Sequence, residues 1–117
     1  MEKVTGLGGV FFRADDPDAL SEWYATHLGV RMENWVWMQE AGPTVFAPFK
    51  RSTDYFGRPE QQFMLNFRVR DLDALMAQLR AADIAVETRA EWDSPESGRF
   101  ARIHDPEGNP IELWEPV

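Results

Sequence analysis

The chain repeats itself. Phe12-Arg13-Ala14-Asp15-Asp16-Pro17-Asp18-Ala19-Leu20 recurs as Phe67-Arg68-Val69-Arg70-Asp71-Leu72-Asp73-Ala74-Leu75 at a constant offset of 55 residues, with six of the nine positions identical. That offset exceeds a solenoid unit and fits two copies of one supersecondary module. In each copy an apolar strand comes first, over Val4 to Arg13 and again over Gln62 to Val69. A capped helix follows. Asp16 is a good N-cap, Pro17 suits the first helical position, Leu20, Trp23, Tyr24 and Leu28 recur at helical spacing, and Gly29 can close the end. Asp71 starts the second helix, with Leu72, Leu75, Met76 and Leu79 on one face. His27 lies in the last turn of the first helix, where positive charge suits the dipole, and reads as structural.

Further strands complete each copy. Val30 to Gln39 and Thr44 to about Ala47 flank a turn at Ala41-Gly42-Pro43, while Ile84-Ala85-Val86, Gly98 to His104 and the last residues serve the second copy. A helix covers one face of such a sheet and leaves the other for a ligand or a partner. The fold expected is therefore α+β, with two repeated βαβββ modules forming a curved mixed sheet, helices outside and a concave cleft inside. One domain spans 1–117: module one covers about 4–49, a polar linker or lid covers 50–61, and module two covers about 62–117.

Composition narrows the function. The net charge of −8 opposes a phosphate backbone and argues against nucleic-acid binding. Most acids then belong to solvated helix faces, although acidity with five Trp would also suit a cationic ligand. No cysteine is available for a disulfide, a thiolate metal site or a nucleophile. The opening Met1-Glu2-Lys3-Val4-Thr5-Gly6 lacks the regions of a secretion signal, and no apolar run approaches the roughly 18 residues of a membrane span, so a cytoplasmic protein is expected.

The richest stretch closes the chain, Asp105-Pro106-Glu107-Gly108-Asn109-Pro110-Ile111-Glu112-Leu113-Trp114-Glu115-Pro116-Val117. It reads as a tight turn and a strand in which Ile111 and Leu113 share one face while Glu112 and Trp114 share the other. With the paired modules, the Asp-Pro-Asp-Ala-Leu helix start and His27-Leu28-Gly29, this ending resembles the glyoxalase / bleomycin-resistance / extradiol-dioxygenase superfamily, also called vicinal oxygen chelate. The stretch from Ala47 to Gly57 is similar to a glyoxalase-like branch of it.

The resemblance implies a homodimer, a small organic molecule in the cleft and, in metal-using members, a divalent ion held by His or Glu from matching strands of both modules. Carried over residue by residue, those ligand positions fall on Gly9, Met64, Thr44 or Val45, and Glu112. Only Glu112 is a hard-metal ligand, and about three are needed. Glu33, Glu40, Glu60 and His104 have no spacing that recruits them, so neither a metal nor another cofactor is expected.

Period two assigns the cleft face. Phe11, Arg13, Met64, Asn66 and Arg68 point into it, with Val10, Phe12, Phe63, Leu65, Phe67 and Val69 toward the helices. If the final hairpin pairs His104 with Pro110, Arg102 opposes Glu112 and Phe100 opposes Trp114. The candidate ligand-binding residues are thus Phe11, Arg13, Asn66, Arg68, Phe100, Arg102, Glu112 and Trp114, and Glu112 is the candidate catalytic acid or base. The reading is a binding protein for a small organic molecule. Its alternatives are a glyoxalase-like lyase or isomerase, with metal or through Glu112, and a structural or regulatory dimer whose cleft is closed by a Glu112–Arg102 ion pair.

Overall fold

A computed structural model describes all residues 1–117. Two helices, α1 (Pro17–Leu28) and α2 (Leu72–Ala81), accompany three strands, β1 (Leu65–Arg68), β2 (Gly98–His104) and β3 (Pro110–Pro116). The sheet has the order β1-β3-β2 and is mixed, with β3 parallel to β1 and antiparallel to β2. This small α+β architecture is the class expected from the sequence.

Local chemistry explains both helix starts. The Asp16 side chain accepts from Ala19 N at 3.1 Å, and the Asp71 side chain accepts from Ala74 N at 3.0 Å. Each start is also held by an acid from the end of the chain. Glu107 accepts from the backbone N–H groups of Asp15 and Asp16, and Glu115 accepts from Leu72 N at 2.9 Å. Gly29 ends α1 in the left-handed region at φ 71°.

The hairpin register, which the sequence left open, pairs His104 with Pro110, Arg102 with Glu112 and Phe100 with Trp114. Its far end requires glycine, because a Cβ on Gly98 would lie 2.1 Å from the Glu115 carbonyl oxygen and φ there is 116°. Alternation then sorts the two faces. Ala101, Ile103, Ile111 and Leu113 are fully buried and form the core with Leu72, Met76 and Leu79 of α2 and Leu20 and Tyr24 of α1. Burying each large aliphatic chain contributes roughly 1.5–3 kcal/mol. At the edge of this core, Tyr24 Oη donates to Asp105 Oδ2 at 2.7 Å, tying α1 to the closing turn.

Much of the first half departs from expectation. The strands expected over Val4 to Arg13, Val30 to Gln39 and Thr44 to Ala47 form no ladder, apart from a single bridge between Glu33 and Val36. Nor does Ile84-Ala85-Val86 form a full strand; one bridge joins Glu87 to Arg102. The chain makes 46 backbone–backbone hydrogen bonds, against roughly 80 expected for its length, and residues 1–13 donate none of them. The physical reason is the absence of a partner: a strand needs a neighbouring edge, and local sequence cannot supply one. Phe11, Trp35, Met38 and Phe46 consequently lie exposed.

Two substitutions test this account. Leu113→Ala leaves a cavity at the centre of the sheet and is expected to cost about 2–5 kcal/mol in urea denaturation. Tyr24→Phe leaves Asp105 with its turn donors and is expected to cost less, about 1–2 kcal/mol.

Candidate functional site

The face of the sheet opposite the core carries two rows of side chains. Across the three strands, Asn66, Glu112 and Arg102 are in register, and so are Arg68, Trp114 and Phe100. Asn66 Nδ2 donates to Glu112 Oε1 at 2.7 Å. The other carboxylate oxygen accepts from Tyr55 Oη. Tyr55 belongs to the segment 50–61, which therefore reaches the sheet at this residue.

Arg102 is buried although its row faces away from the core. Its guanidinium carbon sits 4.6 Å from the centre of the Tyr55 ring and 5.5 Å from that of Trp92, which belongs to a single 3-10 turn, Ala90–Trp92. Trp92 meets Tyr55 edge-on at 6.3 Å, and Phe49 stacks on it at 5.8 Å. The Nε of Arg102 is buried with no hydrogen-bond partner. Such an orphan costs free energy until an acceptor arrives. Glu112 and Arg102 form no ion pair within 4.0 Å; Tyr55 touches one through its hydroxyl and the other through its ring.

The two phenols are perturbed in the same direction. Burial first, then the hydrogen bond to Glu112 and its charge, push Tyr55 up to about 12 against the opposing pull of Arg102. Tyr24 is raised as well, by burial and then by Asp105. At neutral pH Tyr55 is therefore a neutral donor, and Glu112 its acceptor.

The other expected ligand-binding residues divide. Phe100 and Trp114 stack with ring planes 3° apart at 6.2 Å, and Trp114 Nε1 donates to Ser97 O at 2.8 Å. Arg68 donates to the carbonyls of Glu40 and Pro43 at 2.7 Å each, binding the first half of the chain instead of facing open space. A Cβ on Gly42 would come within 2.7 Å of that guanidinium, so glycine allows the approach. Phe11 and Arg13 lie outside the group: Phe11 is 96% exposed, and Arg13 lines a shallow, open hollow with Phe12, Asp15 and Glu107. Without a ladder over residues 1–13, alternation does not fix which way they face. A second hollow, by Ser94, Pro95 and Arg99, is not lined by Glu112 either.

No three His, Cys, Asp or Glu side chains stand close enough to hold a metal ion. Around Glu112 the near donors are an amide and a neutral phenol, a set that does not fit the His and carboxylate ligation of a divalent ion. Sequence reading passed over Tyr55, Trp92 and Phe49 as site residues. For Tyr55 and Trp92 the available signal was an aromatic residue within an otherwise polar stretch, 50–60 and 91–97, while Phe49 lies just before the first of these.

Residues 9–114 match the family model described as a glyoxalase-like domain. Among solved structures, the chain is 25% identical to TnmS3, an antibiotic binding protein from Streptomyces sp. CB03234, over 88% of each chain with a TM-score of 0.55. It is 22% identical to a lactoylglutathione lyase from Agrobacterium tumefaciens, over 97% of this chain and 96% of that one with a TM-score of 0.60. No curated protein matches it.

The tyrosines give a direct check on the electrostatics. A raised pKa means the folded state favours the neutral phenol, so the stability tied to Tyr55 is complete below the ordinary value of 10.0 and is lost as pH rises through about 12. Only two tyrosines are present. Absorbance at 295 nm is expected to show no tyrosinate step near pH 10 in the folded protein and two equivalents there in urea. A full step near pH 10 under native conditions would contradict the part-buried Tyr55–Glu112 contact.

Proposed function

The chain belongs to the glyoxalase-like domain family, and from that premise we propose that it binds a small organic molecule with a planar or apolar body on the face holding Glu112 and Arg102. One observation carries the reading: a buried arginine with an unpartnered Nε, facing aromatic rings, beside a carboxylate on the next strand. A ligand acceptor would satisfy Arg102, and Glu112 with Asn66 would fix a donor. The similarity to an antibiotic binding protein favours the same kind of role.

Binding is preferred to catalysis on the chemistry of the donors. Both Glu112 oxygens are engaged by Asn66 and Tyr55, so acid–base work in a lyase or isomerase would first require Tyr55 to leave. Closure of the face by a direct Glu112–Arg102 pair, as a purely structural role would have it, is disfavoured by the tyrosine standing against both.

A homodimer in the cytoplasm is part of the proposal. Its support is the exposed apolar first half: Phe11, Trp35, Met38 and Phe46 lie on segments of strand-like composition with unpaired backbone, and the outer edge of β1 is free. A second copy would offer matching edges. No helix is long and apolar enough to cross a membrane.

Two measurements decide these points. For a ligand identified by thermal-shift screening, Glu112→Ala and Arg102→Met are each expected to weaken binding about tenfold or more, with circular dichroism confirming the fold; unchanged affinity in both removes the site. In sedimentation the protein is expected at twice the mass of the chain, and Phe11→Asp with Phe46→Asp is expected to shift it toward the monomer. A monomer at all concentrations would exclude the dimer.

A further inference from the structure

The way Tyr55 sits against the sheet suggests what the ligand resembles. Its ring is flanked by the Arg102 guanidinium at 4.6 Å, by Phe49 stacked at 5.8 Å and by the edge of Trp92 at 6.3 Å, and its hydroxyl donates to Glu112. These are the contacts a receptor for a phenol would make: a cation and an aromatic plane for the ring, and a charged acceptor for the hydroxyl. Yet the ring comes from an irregular segment whose local anchoring is slight. Near the ring, Tyr55 N donates to Thr53 Oγ1 at 3.2 Å and turns at Lys50–Thr53 and Asp54–Gly57 are each closed by one backbone bond; the firmer ties lie at the far end, where Gln61 N donates to Arg58 O and the Gln61 side chain donates to Phe63 O at 2.9 Å. The receptor groups Glu112, Asn66 and Arg102 stand on ladder strands of the sheet.

We infer that Tyr55 is an internal stand-in for the ligand, that the face holding Glu112 and Arg102 takes a hydroxylated aromatic ring in its place, and that the segment 50–61 is the gate that such a ligand displaces. This rests on the small-molecule reading above and adds to it the chemical class and the competition. Rigid receptor and loosely held occupant are the arrangement that permits exchange: binding exchanges one phenol for another, and Glu112 is never left without a donor. The neutral state of Tyr55 beside the carboxylate indicates that the incoming hydroxyl also binds protonated. A phenolate would face Glu112 as a like charge.

The probe is 4-methylphenol, which is the tyrosine side chain itself, with 4-methylanisole as the partner lacking a donor. Removing the occupant by Tyr55→Gly leaves a void of matching shape. Calorimetry is expected to show 4-methylphenol binding Tyr55→Gly about tenfold or more tightly than it binds the unaltered protein, with no comparable gain for 4-methylanisole. The gain should disappear when Glu112→Ala is added. If Tyr55→Gly does not fold, Tyr55→Phe retains the ring and loses only its hold on Glu112, and a severalfold gain for 4-methylphenol is expected. Equal affinity in the unaltered protein and the folded variant, or equal gain for 4-methylanisole, overturns the inference. A screened ligand that depends on Glu112 and Arg102 but is indifferent to Tyr55→Gly overturns it as well, while leaving the binding site standing. The phenol result obtained with screened ligands indifferent to Glu112 would uphold it and remove the broader functional reading.

Discussion

Strand β3 is the element on which everything else in the molecule is hung. It is the only strand with neighbours on both sides, so its removal would leave neither β1 nor β2 a ladder. Its core face supplies Ile111 and Leu113, both fully buried, to the cluster that also receives α1 and α2. The acids near it reach further. Asp105 and Glu107 in the preceding turn hold α1, Glu115 holds the start of α2, and Glu112 faces the opposite side. A chain of net charge −8 thus uses four of its acids, placed within eleven residues, as fixed acceptors for helix ends and side-chain donors. Position, more than number, gives them their roles.

Placing Glu112 on that strand has an electrostatic consequence. A carboxylate on a partly covered face must be hydrogen-bonded or protonated. Arg102 lies directly across the ladder, yet the nearest contacts of Glu112 are neutral donors, and the guanidinium turns to the rings of Tyr55 and Trp92. The two charges are thus not spent on each other. A closed ion pair would have satisfied both and left the face inert, whereas Tyr55 satisfies only the carboxylate and leaves Arg102 Nε without an acceptor.

What the sequence disclosed, and what it hid, follows from sequence distance. Helix caps and the Gly29 terminus depend on a few adjacent residues, and Asp16 and Asp71 could be read from them, whereas the turn residues alone did not choose between the His104–Pro110 pairing and a slip of one residue. Period two put Asn66, Glu112 and Arg102 on one face, but their alignment in a single row depends on strand pairings that only the structure gives. The first half was not legible in this way: apolar, β-branched and aromatic residues mark Val4 to Arg13 and Val30 to Gln39 as strand-like, but a ladder requires a neighbour that composition does not name. Tyr55 was hidden for the related reason that its partner lies 57 residues away across an irregular segment. Only the oddity of a tyrosine among polar residues pointed to it.

Two tyrosine–carboxylate pairs flank the closing strand, and they differ in what else holds each partner. Asp105 keeps, besides Tyr24, the backbone N–H groups of Glu107 and Asn109 and the Asn109 side chain, all within 3.0 Å, and Tyr24 is fixed in a helix packed on the core. That pair joins a core-packed helix to the closing turn, so its tyrosine is structural. Glu112 keeps only Asn66 once Tyr55 departs, and the half-buried carboxylate would then accept from water or from any donor of suitable shape. Tyr55 carries no helix with it. Identical chemistry on the two sides therefore serves opposite ends, because one phenol is anchored by secondary structure and the other is held chiefly by the groups it touches.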